Sequence, residues 1–128
     1  MPAEWSCQAG YLPVFLPVNV KNNNMINGYR IITLCGSTRF RDAFMEAQKR
    51  LTLEGYIVIS VGLFGHSGDN EALDKKTKLM LDDMHLSKID MADEIFVVNQ
   101  GGYIGESTSR EIEYAKSCNK PVRYLEIV

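Results

Sequence analysis

One carboxylate stands out by its setting. Glu111 follows a loop rich in glycine and hydroxyl groups, Gly101-Gly-Tyr-Ile-Gly-Glu-Ser-Thr-Ser109, at the head of a segment with helical spacing. Glycines let a backbone approach a ligand, and free N–H groups at a helix start favour anions. Gly102, Tyr103, Gly105, Ser107 and Ser109 are therefore candidate contacts to a small polar molecule, with Glu111 as the group that can do chemistry on it. A second reading stays open at the same place. Thr108-Ser-Arg-Glu111 fits a capping box, in which the glutamate only returns to the N-cap N–H.

Gly36-Ser-Thr-Arg39 is a loop of the same kind. Gly36, Ser37, Thr38 and Arg39 offer backbone donors, hydroxyls and the positive end of a helix to a phosphate or carboxylate, unless a hydroxyl merely caps that helix. The loop is no Walker motif, because Gly-Lys-Ser/Thr is missing, and it is no GxGxxG fingerprint. His66 and Asp69 lie in a further loop, Gly62 to Asn70, within reach of a substrate bound there. Asp82, Asp83, His85 and Asp90 share a helical stretch, and charges on a long helix are expected on its outer face. Two histidines so far apart give no metal-ligand spacing, so no metal and no cofactor is expected. Cys7, Cys35 and Cys118 lack CxxC spacing and read as core or incidental thiols rather than a disulfide framework.

These groups need a scaffold that delivers them to one edge. Residues 1–28 stand apart as an arm or edge segment: Pro13 and Pro17 interrupt an apolar run, and Lys21 to Asn24 with Asn27-Gly28 reads as a loop or flexible joint. Residues 29–128 alternate regularly. Arg30 to Cys35 is strand one, and Phe40, Phe44, Ala47 and Leu51 mark helix one, which ends at Gly55. Tyr56 to Val61 is strand two, apolar enough to be covered on both faces. Helix two runs from about Glu71 to Met91 with Leu73, Thr77, Met80, Met84 and Met91 at helical intervals. Asp93 to Asn99 is strand three, Thr108 to Cys118 helix three, and Pro121 to Ile127 strand four. Such alternation predicts an α/β domain with a parallel sheet and right-handed crossovers, in the core order 2-1-3-4. Ligands bind such sheets outside the carboxyl ends of the strands at the topological switch point, here between strands one and three.

Composition sets the outer bounds. The chain has 128 residues, 45% hydrophobic and 23% charged, which fits one globular domain able to bury a core. Its 14 basic and 16 acidic residues nearly cancel, so no nucleic-acid partner is expected. No apolar run approaches the ~20 residues that span a bilayer, and no signal peptide is evident, so no membrane partner is expected and a cytoplasmic location is the default.

Three stretches in order resemble one family. Leu34-Cys-Gly-Ser-Thr-Arg39, Ala92-Asp-Glu-Ile-Phe-Val-Val98, and Gly102 to Ala115 ending in Arg-Glu-Ile-Glu-Tyr-Ala are similar to the nucleoside 2-deoxyribosyltransferase superfamily, which includes 2'-deoxynucleoside 5'-phosphate N-hydrolases. The resemblance spans roughly Arg30 to Val128. It implies a flavodoxin-like or Rossmann-like three-layer sandwich that cleaves the N-glycosidic bond of (deoxy)nucleoside 5'-monophosphates or nucleosides, with Glu111 in the place of the nucleophile. Base exchange between nucleosides and silent nucleotide binding are the alternative functions. It also implies a homo-oligomer, since relatives complete their sites across an interface. Where the family carries an aspartate that orients the sugar or handles protons, this chain has His85, so the catalytic candidates beside Glu111 are His85 as general acid or, with a shifted register, Asp82, Asp83 or Asp90. Phe40 and Tyr103 are the aromatic candidates for stacking on a base. Cys35-Gly-Ser37 followed by the 101–108 loop bears a fainter resemblance to phosphoribohydrolases once called lysine decarboxylases, without their PGGxGT wording.

Overall fold

The computed structural model describes residues 25–65 and 73–127, so the expectations placed on residues 1–24 and on His66 and Asp69 lie outside the described residues. In chain order the elements are β1 (Met25–Ile26), β2 (Tyr29–Gly36), α1 (Arg41–Leu53), β3 (Ile57–Ile59), α2 (Lys75–Met91), β4 (Glu94–Val98), a 3-10 turn (Gln100–Gly102), α3 (Glu106–Ser117) and β5 (Val122–Tyr124). The sheet runs β3-β2-β4-β5, all parallel, which is the 2-1-3-4 order expected from the alternation.

The two central strands explain why this order holds. Ile32, Leu34, Phe96 and Val98 point to one face and pack on Phe44, Ala47 and Leu51 of α1. Cys35, Ile95 and Val97 point to the other and pack on Ile89 of α2 and on Ile112, Tyr114 and Ala115 of α3. Alternating side chains on a strand thus feed two cores, and the result is a helix–sheet–helix sandwich. All five residues of β4 are buried, as a strand covered on both faces requires.

Asn27-Gly28, expected as a loop or flexible joint, is a loop of a defined kind, a two-residue hairpin turn with φ of 51° and 87° that folds β1 back antiparallel on β2. Asn-Gly suits such a turn because both positions need positive φ. Strand two is shorter than expected and only half covered, since β3 lies at the sheet edge with β2 as its partner. The methionines of α2 are not its core face: Met80, Met84 and Met91 are exposed, and the helix buries His85 and Ile89 instead. Thr33 fixes that face by donating its hydroxyl to the Lys88 carbonyl (2.8 Å). Finally, α3 begins at Glu106 rather than Thr108.

No helix among the described residues is long and apolar enough to cross a membrane.

Candidate active-site crevice

The carboxyl ends of β2 and β4 lie side by side, with Gly36 in register with Val98. Gly36 is required there. Its φ is +150°, and a Cβ would stand 2.7 Å from the Val98 carbonyl oxygen and 3.3 Å from Phe44. The chain leaves β2 by this close approach, turns through Ser37 and Thr38, and enters α1.

Above this edge lies a crevice of ≈ 800 Å³. Gly36, Ser37, Thr38 and Arg39 form one wall; Tyr103, Gly105, Ser107 and Glu111 form the opposite one, with Glu106 and Thr108 beside them. The side is closed by α2 through Lys78, Leu81, Asp82, Met84, His85 and Lys88. The two walls touch. The Arg39 guanidinium lies 4.5 Å from the centre of the Tyr103 ring, and Phe40 meets the same ring edge-on at 5.9 Å. Arg39 also donates to Ser37 Oγ from its backbone N (3.3 Å) and its Nε (3.1 Å).

Neither capping interpretation is realised. Phe40 is the N-cap of α1 and has no side-chain cap, so Ser37 and Thr38 are not spent on that helix. Gly105 is the N-cap of α3, also without a side-chain cap, so Thr108 and Glu111 form no capping box. Starting α3 two residues earlier moves Glu111 into its second turn and under the crevice. The first-turn N–H groups of α3 remain available at the mouth, where a helix start favours an anion. Glu106, which would repel that anion, points to solvent and pairs with Arg110 (3.2 Å).

Glu111 meets Cys35 and His85 at the floor. His85 Nε2 is 3.8 Å from Glu111 Oε1 and 3.4 Å from Cys35 Sγ. Burial, reinforced by the Asp82 charge, pushes the Glu111 carboxyl up to about 8. Burial and nearby Lys88 pull the His85 imidazole down to about 4. Burial also raises the Cys35 thiol well above its usual value. All three groups are therefore uncharged at neutral pH, and the His85–Glu111 contact is neutral rather than an ion pair. Lys88 is held near them by donating to the Ser60 carbonyl (2.8 Å).

No family model matches the chain, and no curated protein matches it. Of the positions singled out from the sequence, Gly36, Ser37, Thr38, Arg39, His85, Tyr103, Gly105, Ser107 and Glu111 converge on this one crevice. Gly102 and Ser109 do not line it. Gly102 belongs to the 3-10 turn, whose neighbour Gly101 donates its N–H to Glu126 (2.8 Å). Asp90 is not at the site either: Tyr114 donates its hydroxyl to it (2.7 Å), and Lys120 bonds its carbonyl, so it anchors the end of α2.

Of the charged and polar residues of α2 weighed as candidates, His85 is the buried one, while Asp82 and Asp83 are exposed. Asp82 and Lys88 sit one turn to either side of it and share the crevice, a row visible in sequence only once His85 is placed inward. Cys35 is a free thiol of the core, as one of its two readings has it, and it also contacts His85 beneath the crevice. Cys118 is disulfide-bonded, which corrects its reading as an incidental thiol.

Proposed function

We propose that the protein cleaves the N-glycosidic bond of (deoxy)nucleoside 5'-monophosphates or nucleosides, with Glu111 as the nucleophile. The observation that carries this reading is the release of Glu111 from helix capping into the floor of a crevice at the switch point of the sheet. An oxocarbenium-like centre needs a carboxylate beneath the anomeric carbon, and that carboxylate can collapse to a covalent glycosyl-enzyme. The bond from the anomeric carbon to the base nitrogen breaks, the departing base takes a proton from solvent, and water then hydrolyses the glycosyl ester to free the sugar and Glu111.

The protonated ground state of Glu111 fits this chemistry in a definite way. With the carboxyl pushed up to about 8 by burial, the protonated form predominates at pH 7 and the ionised minority is the nucleophile. Positive charge developing on the sugar stabilises the ionised form, so the nucleophile gains most in the transition state, where it accelerates the reaction. His85 orients the carboxyl from the place where relatives carry aspartate, and Asp82 supplies the second carboxylate of the crevice. The first turn of α3 suits a 5'-phosphate, and the Tyr103 ring offers a stacking surface for a base. Leu79, Met80, Met84 and Met91, exposed along α2, are apolar surface suited to a second subunit; light scattering on the purified chain tests that association.

The deciding experiment is a panel of nucleosides and 5'-monophosphates, with and without an acceptor base, read for released or exchanged base. Release from monophosphates is the expected result. Base exchange on nucleosides selects the transferase, and binding without release across the panel selects a silent nucleotide-binding module.

A further inference from the structure

We infer that Cys35, His85 and Glu111 form a three-ligand site for a divalent transition-metal ion of the zinc class at the floor of the crevice, with the fourth coordination position facing its opening. Sequence spacing argued against a metal because the ligands come from three separate elements. Cys35 is next to last in β2, His85 lies in the second half of α2, and Glu111 sits in the second turn of α3.

The distances suit a tetrahedral ion. Bonds of about 2.3 Å to thiolate and 2.0–2.1 Å to imidazole and carboxylate, at tetrahedral angles, separate the ligand atoms by roughly 3.4–3.6 Å. The observed separations are 3.4 Å from Sγ to Nε2 and 3.8 Å from Nε2 to Oε1. All three ligand atoms lie within 4.8 Å of one another.

The chemistry of the set is equally selective. One thiolate, one imidazole and one carboxylate favour Zn²⁺ or Co²⁺ over Mg²⁺ or Ca²⁺, which want oxygen alone. Charge also balances. A thiolate and a carboxylate carry two negative charges, which a divalent ion cancels. Binding forms three bonds from the ion to Sγ, Nε2 and Oε1, releases the thiol and carboxyl protons to water, and strips the ion of hydration water. Three protein ligands with one open position is the arrangement of sites that bind a further molecule on the ion.

The inference stands on ligand geometry and does not need the glycosidic reading, although both use Glu111. If both hold, ion and nucleophile exclude one another, and Zn²⁺ silences base release. The test titrates the full chain, freed of metal by a chelator, with Co²⁺. Expected is near one equivalent bound, the intense visible spectrum of tetrahedral cobalt, a thiolate-to-cobalt band in the near ultraviolet, and displacement of both by Zn²⁺.

Cys35→Ser removes the thiolate band, and Cys35→Ser and Glu111→Gln each weaken binding at least about a hundredfold, more than an outer-shell change does. Circular dichroism establishes that each variant is folded; where one is not, the other carries the comparison. No cobalt bound, a spectrum without thiolate character, or unchanged affinity in a folded variant overturns the site. Base release by the chelated protein answers the separate question of glycosidic activity, so either reading can fail alone.

Discussion

His85 Nε2 stands 3.8 Å from Glu111 Oε1, each in a place that burial keeps uncharged near neutral pH. Two ionisable groups from different helices thus share one largely buried contact in which the carboxyl holds the proton.

Glu111→Gln separates chemistry from packing. Glutamine keeps the shape and the uncharged state of the side chain, and no capping box is lost, so thermal midpoints of the two proteins should differ by no more than a few degrees. Release of free base, followed by chromatography, should fall at least about a thousandfold, which corresponds to about 4 kcal/mol of barrier. An unchanged rate removes Glu111 from the nucleophile's role.

The same pair shapes stability against pH in chelator-treated protein. Ordinary values are 4.5 for Glu111 and 6.5 for His85, against about 8 and about 4 in the fold. Between 4.5 and 6.5 the folded pair holds one proton, on Glu111, and the unfolded pair holds one, on His85, so their contribution is flat. From 6.5 up to about 8 the folded pair still holds one and the unfolded pair none, so stability falls as pH rises. Below 4.5 the unfolded pair holds two, and stability falls as pH drops. Urea unfolding across this range should show an alkaline fall on the order of 1 kcal/mol that Glu111→Gln abolishes; a fall of equal size in the variant assigns it to other groups.

Gly36→Ala tests the edge on which the crevice is built. The added methyl must enter at 2.7 Å from the Val98 oxygen with a backbone conformation that alanine rarely adopts. A loss of about 2–4 kcal/mol in chemical denaturation is expected. A loss below about 1 kcal/mol means the strands part at little cost.

Asp90→Asn distinguishes an anchor from a catalyst. Asparagine still accepts the Tyr114 hydroxyl bond but carries no charge near Lys120. Base release should stay within about threefold of the parent while stability drops by about 1 kcal/mol. A large rate loss without destabilisation would return Asp90 to the chemistry.

The sheet order was legible because near-continuous apolar strands separated by helical spacing leave few ways to connect them. Convergence of Gly36, Arg39, Tyr103 and Glu111 was legible for the same reason: strand order brings their loops to one edge. Two features were hidden. The inner face of α2 is chosen by Thr33 and by what β2 presents, so the methionine spacing pointed outward while His85 turned in. Cys35 meets His85 across 50 positions of sequence, and no local pattern encodes such a contact. The start of α3 was misplaced by two residues, and that small error alone made a capping box look available to Glu111.

Asn99 and Glu126 tie the turn after β4 to the chain beyond β5. The Asn99 amide donates to the Glu126 carbonyl (3.1 Å) and accepts from the Glu126 N–H (2.9 Å), while the Glu126 carboxylate accepts from Gly101 N (2.8 Å). Asn99 itself is fully buried. Opening the turn therefore exposes its Glu126 partners, just past β5, at the same moment, and the two segments behave as one cooperative unit. In hydrogen exchange, the Gly101 and Glu126 amides should trade deuterium at matched opening free energies, although 25 positions of sequence lie between them.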